Sequence, residues 1–145
     1  MANLCFQRIT PVAQNVNDGN ANVYFTPFNL AGFVDKAALL LMEVQGVEFD
    51  HNFVTMNHED QVDRATLNGL STDSAAGVLD ENFVDRILPS GGSTDFALTI
   101  FRVKPILRAT GNILGVHTRN SSGGTSGNRD DFRVDRIFIL YSGSD

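Results

Sequence analysis

The chain has 145 residues, 42% of them hydrophobic, which suits one domain able to bury a core without disulfides or a structural metal. Eleven basic residues, scattered along the chain, stand against 17 acidic ones for a formal charge of −6, which disfavours nucleic acid and anionic membrane surfaces as partners. The lone cysteine, Cys5, excludes an intrachain disulfide, and the longest apolar run, Ala37 to Met42, is far too short to insert across a membrane.

In chain order, the apolar runs are short and turn residues separate them, the pattern of strands. Leu4 to Thr10 is the first expected strand, stopped by Pro11. A polar, Asn-rich stretch runs from Gln14 to Asn22, with Asp18-Gly19 as its turn. Val23-Tyr24-Phe25 comes next, then a loop carrying Pro27 and Gly32. Ala37 to Phe49 contains the helix-favouring run Ala38 to Glu43. Val44, Val47 and Phe49 continue its apolar pattern and Gly46 interrupts it, so the expectation is a strand with a bulge at Gly46.

Phe53 to Met56 is another short strand, and Arg64 to Leu67 leads into the tight-turn pair Asn68-Gly69. Asn82 to Leu88 reads as a short strand or a helical turn before the loop at Pro89. Asp95 to Val103 alternates Phe96, Leu98 and Ile100 with Ala97, Thr99 and Phe101, which predicts a central strand with both faces partly buried. Ile113 to Thr118 is a strand, and a Gly/Ser-rich loop from Ser121 to Gly127 separates it from the last one. In that strand, Phe132 to Tyr141, the alternation shifts near Asp135-Arg136 and predicts a bulge. The sum is an all-β chain, a two-sheet antiparallel β-sandwich forming one domain over residues 1–145.

Several of these stretches resemble galactose-binding-like jelly rolls. They are Asp95 to Ile100, Pro105-Ile106-Leu107, Gly111-Asn112-Ile113-Leu114 with the strand that follows, the closing strand Asp131 to Tyr141, and the Thr66 to Gly69 hairpin upstream. His58, Asp60 and Gln61 also match a His-x-Asp-Gln run of bacterial galactose-specific, calcium-dependent lectins with this kind of fold. The resemblance implies a lectin or carbohydrate-binding module whose end loops bind sugar, often beside a structural calcium ion.

The residues themselves offer two clusters. In the first, Asn57, His58, Asp60 and Gln61 carry planar polar groups that donate to and accept from vicinal hydroxyls, as a carbohydrate site needs; the other reading is an exposed loop. Arg119 and Asn120 would complete that sugar rim from the later loop. In the second, Asn128, Asp130 and Asp131 bring oxygens suited to calcium, or else form a solvated turn at the start of the last strand. His51, His58 and His117 lack zinc spacing, and no nucleophile, metalloprotease or phosphate-loop pattern is present, so no enzyme is expected. The expected function is carbohydrate binding, and the rival is a structural subunit of a homo-oligomer or larger complex without a small ligand. The first residues lack the layout of a leader peptide, so the expected location is the cytoplasm, with release by a non-classical route left open.

Overall fold

The computed structural model describes residues 2–10, 12–34, 38–57, 82–89, 96–103 and 107–144. Among these the regular elements are all strands: β1 (Ala2–Arg8), β2 (Gln14–Val16), β3 (Asn22–Tyr24), β4 (Ala38–Gln45), β5 (Phe53–Met56), β6 (Phe83–Arg86), β7 (Ala97–Val103), β8 (Leu114–His117) and β9 (Phe132–Ser144). They form two antiparallel sheets packed as a sandwich. The large sheet runs β1-β9-β4-β7, with β2 also paired to β9, and the small one runs β3-β8-β5-β6. The hairpin expected at Asn68-Gly69 lies outside the described residues.

Period-2 alternation puts one set of side chains from each sheet into a shared core. Leu40, Met42 and Val44 from β4, Ile137 and Ile139 from β9, and Phe101 and Val103 from β7 meet Val54, Met56, Leu114 and Val116 from the small sheet. Each such side chain contributes roughly 1.5–3 kcal/mol when fully buried. β4 shows why a helix-favouring run becomes a strand. Its residues alternate between buried and partly or fully exposed, and it hydrogen-bonds to β9 on one side and β7 on the other. Pairing with two neighbours outweighs a helix preference of a few tenths of a kcal/mol per residue.

Three expectations change on contact with the structure. The bulge at Gly46 is absent: Gly46, at φ 80°, instead turns the chain out of β4, which ends at Gln45. The irregularity in this sheet sits between β4 and β9, where Leu41 opposes Phe138 and Glu43 opposes Asp135, so Met42 alone faces Arg136 and Ile137. This is the bulge expected near Asp135-Arg136. Arg136 takes φ 44°, and the extra residue lets Val134 and Ile137, three apart, both point into the core.

The second change is at β7, which ends the described large sheet rather than lying at its centre. Phe101 and Val103 point inward while Leu98 and Ile100 are exposed, because a sandwich strand has only one inner face. The third is β2, a short strand inside the stretch read as polar connector, with Val16 buried opposite Phe132. The turn after it is as expected: Asn17 and Asn20 bridge around Asp18-Gly19, and the Gly19 N–H donates to Asn17 Oδ1 at 3.0 Å.

Candidate functional site

Among the described residues, three of the polar side chains singled out from the sequence, Asn57, Arg119 and Asp130, are turned into the protein. Asn57 directly follows β5 at φ 60° and is buried. Its Oδ1 accepts from Ile113 N at 2.8 Å, and its Nδ2 donates to Asn112 Oδ1 at 3.3 Å. Asn112, fully buried, also accepts from Arg108 N at 2.8 Å and donates to Arg108 O at 2.6 Å. These bonds pin the start of β8 against the end of β5. His58, Asp60 and Gln61 lie outside the described residues.

Asn120 organises its own loop. Its Oδ1 accepts from Ser122 N, Ser122 Oγ and Gly124 N at 2.7–3.0 Å, while its Nδ2 donates to Ser126 O at 2.7 Å. Asn128 and Asp131 are exposed, whereas Asp130 is 2% exposed. Asp130 Oδ2 accepts from Glu48 N and Phe49 N at 2.9 Å and from Asn52 Nδ2 at 2.7 Å; Oδ1 accepts from Asp131 N at 2.9 Å. The Asp130 carboxylate therefore faces N–H donors and ties the 46–52 loop to the start of β9. Among the described residues no group of three or more His, Cys, Asp or Glu side chains gathers at metal-binding range.

Arg119 belongs to a cluster that the sequence did not reveal. The outer face of the small sheet buries Phe53, Thr55 and His117, and Arg119 lies over the Phe53 ring at 4.9 Å. His117 stacks on Phe53 with ring centroids 4.6 Å apart; its Nε2 meets Thr55 Oγ1 and its Nδ1 meets Asn22 Oδ1, both at 2.8 Å. Burial, then the nearby positive charge of Arg129, lowers the Arg119 guanidinium to about 10, and Tyr24 partly offsets this. Only alternation in Phe53-Val54-Thr55 and Gly115-Val116-His117 hinted that these side chains share one face.

Beside this cluster is a cleft of about 370 Å3, lined by Asp18, Asn20, Asn22, Tyr24 and Arg129. Asp18 Oδ1 accepts from Arg129 N at 3.0 Å, and the Arg129 guanidinium is 3.9 Å from the same carboxylate and donates to Thr125 O. Arg129 Nε is buried without a hydrogen-bond partner among the described residues.

The outer face of the large sheet is different in kind. An antiparallel sandwich sheet ordinarily turns polar side chains to water. Here Leu4 is 74% exposed and Phe6, Leu98 and Ile100 are 56–59% exposed. The strand register places them in one diagonal band: Phe6 opposes Leu140, Leu140 opposes Leu39, and Phe138 opposes Leu41, which opposes Ile100. The Phe6 and Phe138 rings stack with centroids 4.6 Å apart, and the Arg8 guanidinium lies 5.9 Å from the Phe138 centroid. Arg102 flanks the band on one side; Glu43 and Asp135, side by side, flank it on the other, with Arg136 Nη1 3.2 Å from Glu43 Oε2.

No protein family model matches the chain, and no curated protein matches it.

Proposed function

We propose that this domain is a structural subunit that assembles through the outer face of its large sheet. The observation that carries the reading is the diagonal apolar band from Leu4 and Phe6 to Leu98 and Ile100. Its exposed apolar area is on the order of 500 Å2, at the upper end of what an ordinary monomer leaves in water. The sandwich core does not require these side chains, since the inner faces are filled by the opposite set. Leaving them in water costs solubility, and covering them with protein recovers the hydrophobic term. Sedimentation velocity over a concentration series tests this reading. The expected result is a defined oligomer that Phe6→Lys and Leu98→Lys each dissociate into a monomer that still unfolds cooperatively; a monomer at every concentration removes it.

Carbohydrate binding is a second reading, favoured by a separate observation, the polar cleft at Asp18, Asn20, Tyr24 and Arg129. Its volume suits a single sugar ring, its carboxylate, amide and guanidinium groups match hydroxyls, and the Tyr24 ring offers an apolar wall. The likeness to galactose-binding-like jelly rolls, with their sugar-binding loops and calcium, points the same way. The proposed residues differ from those expected, because Asn57 and Asn120 spend their amides on internal bonds. A glycan array followed by titration with Asp18→Ala decides the matter. Loss of one partner at a hydroxyl site lowers affinity by roughly five- to 150-fold. An array with no bound glycan, with and without calcium, ends this reading.

A further inference from the structure

We infer that the cleft beside the small sheet takes an acidic sugar, its carboxylate seated on the Arg129 guanidinium and its hydroxyls on Asp18 and Asn20. This rests on the carbohydrate reading above and names the ligand class of that cleft.

Charge carries the inference. The chain has a formal charge of −6 and only 11 basic residues, yet two of them, Arg119 and Arg129, stand within each other's field beside this cleft. Burial, and then repulsion from Arg129, holds the Arg119 guanidinium at about 10. Among the described residues, Asp18 is the one carboxylate lining the cleft. Its side chain is 55% exposed and its oxygen lies 3.9 Å from Arg129 Nη1, so the pair is screened by water. Asp130, next to Arg129 in the chain, has its carboxylate committed to the N–H donors of Glu48, Phe49 and Asn52. Two positive charges therefore stand against one screened negative charge.

Hydrogen bonding points the same way. Asn22 Oδ1 meets His117 Nδ1 at 2.8 Å, and Asp18 Oδ1 accepts from Arg129 N at 3.0 Å, so these oxygens are spent inside the protein. Of the guanidinium nitrogens of Arg129, Nη2 donates to Thr125 O, while Nε is buried with no acceptor among the described residues. Buried donors are ordinarily paired. A carboxylate, planar and with two acceptor oxygens, is the group that best matches a guanidinium. A bare acid would leave the rest of the cleft unused. At about 370 Å3 it holds one sugar ring beside Tyr24, with Asp18 Oδ2 and the Asn20 side-chain oxygen to accept from its hydroxyls.

The test is titration of the full chain with glucuronate and galacturonate against glucose and galactose, followed by NMR chemical shifts at low salt. At least one uronate should bind about tenfold or more tighter than its neutral parent, a margin that narrows in high salt. Arg129→Gln should bring the uronate down to the affinity of the neutral sugar. Should that variant melt early, Arg129→Lys keeps the charge without the planar fork and should retain only part of the margin. Asp18→Asn keeps the oxygen that Arg129 N needs and removes a negative charge from beside the ligand's carboxylate. It should tighten the uronate by about threefold, whereas a site for neutral sugars gains nothing from it.

Equal affinity for uronates and their neutral parents overturns the acidic-sugar inference and leaves the carbohydrate reading standing. Acetate bound as tightly as the uronates also overturns it, because the sugar then adds nothing. Uronate binding unchanged by Arg129→Gln overturns the placement on this guanidinium. If neither kind of sugar binds, in titration or on the array, both readings fall.

Discussion

Asn52 Nδ2 donates to Asp130 Oδ2 at 2.7 Å across 78 residues of sequence, joining the loop before β5 to the residue pair that opens β9. The Oδ1 of the same Asn52 accepts from Arg119 N at 2.9 Å and lies 3.2 Å from Thr118 Oγ1. Thr118 Oγ1 in turn donates to Asp130 O at 2.7 Å. One buried amide and one buried carboxylate thus hold together three chain segments, two of which belong to different sheets.

Breaking that pair is expected to be costly. Asp130→Ala leaves Glu48 N, Phe49 N and Asn52 Nδ2 without their acceptor in a buried place. The expected loss is about 3–5 kcal/mol, the range for removing one partner from a buried charged network. Urea unfolding of Asp130→Ala and Asn52→Ala checks it, and a loss under about 1 kcal/mol for Asp130→Ala would contradict the network.

Calcium should leave the fold unmoved at this position. Ion binding to the native state alone, at about a hundred times the dissociation constant, adds roughly 2.7 kcal/mol. That would raise the melting temperature by several degrees in a domain of this size. With the Asp130 carboxylate facing N–H donors, melts with millimolar calcium and with chelator should coincide.

At the bulge, the usual ranking of glycine and alanine should invert. Arg136 sits at φ 44°, where a Cβ costs about 1–2 kcal/mol. Arg136→Gly and Arg136→Ala both lose the contact with Glu43, so comparing them isolates the backbone. Arg136→Gly should be more stable by about 1 kcal/mol. In an ordinary strand position alanine would win, and that result would place the bulge elsewhere.

Burial raises the Tyr141 phenol above its ordinary 10, with Cys5 adding to the rise and the hydrogen bond to Ala31 O at 3.0 Å belonging to the same hydroxyl. The sign follows from proton binding. Above pH 10 the unfolded chain has lost this proton while the folded chain still holds it, so stability contributed here falls as pH rises through the folded value. The chain has 2 tyrosines, so Tyr24→Phe leaves Tyr141 as the only one. Phenolate absorbance of that variant should rise at a pH above 10; titration at or below 10 would mean an exposed ring.

Short apolar runs bounded by turn residues in β4 and β5, and alternation in β7, β8 and β9, already pointed to strands, because these patterns and their breaks are local facts. The shift at Asp135-Arg136 is one such break, legible because a bulge must displace every later side chain by one face. Local pattern does not say which apolar set faces the core. In β7, Leu98 and Ile100 on one side and Phe101 and Val103 on the other look alike in sequence, and only the packing of the small sheet against one face of the large one left the first pair facing water. The polar residues show the same limit. Asn57, Asn120 and Asp130 carry the groups a ligand would need, yet whether those groups meet water or a backbone N–H depends on segments far along the chain. Asp130 lies beside Asn128 and Asp131 in sequence and beside Glu48, Phe49 and Asn52 in space. Hydrogen-bonding capacity belongs to the residue; the packing of distant segments decides where it is spent.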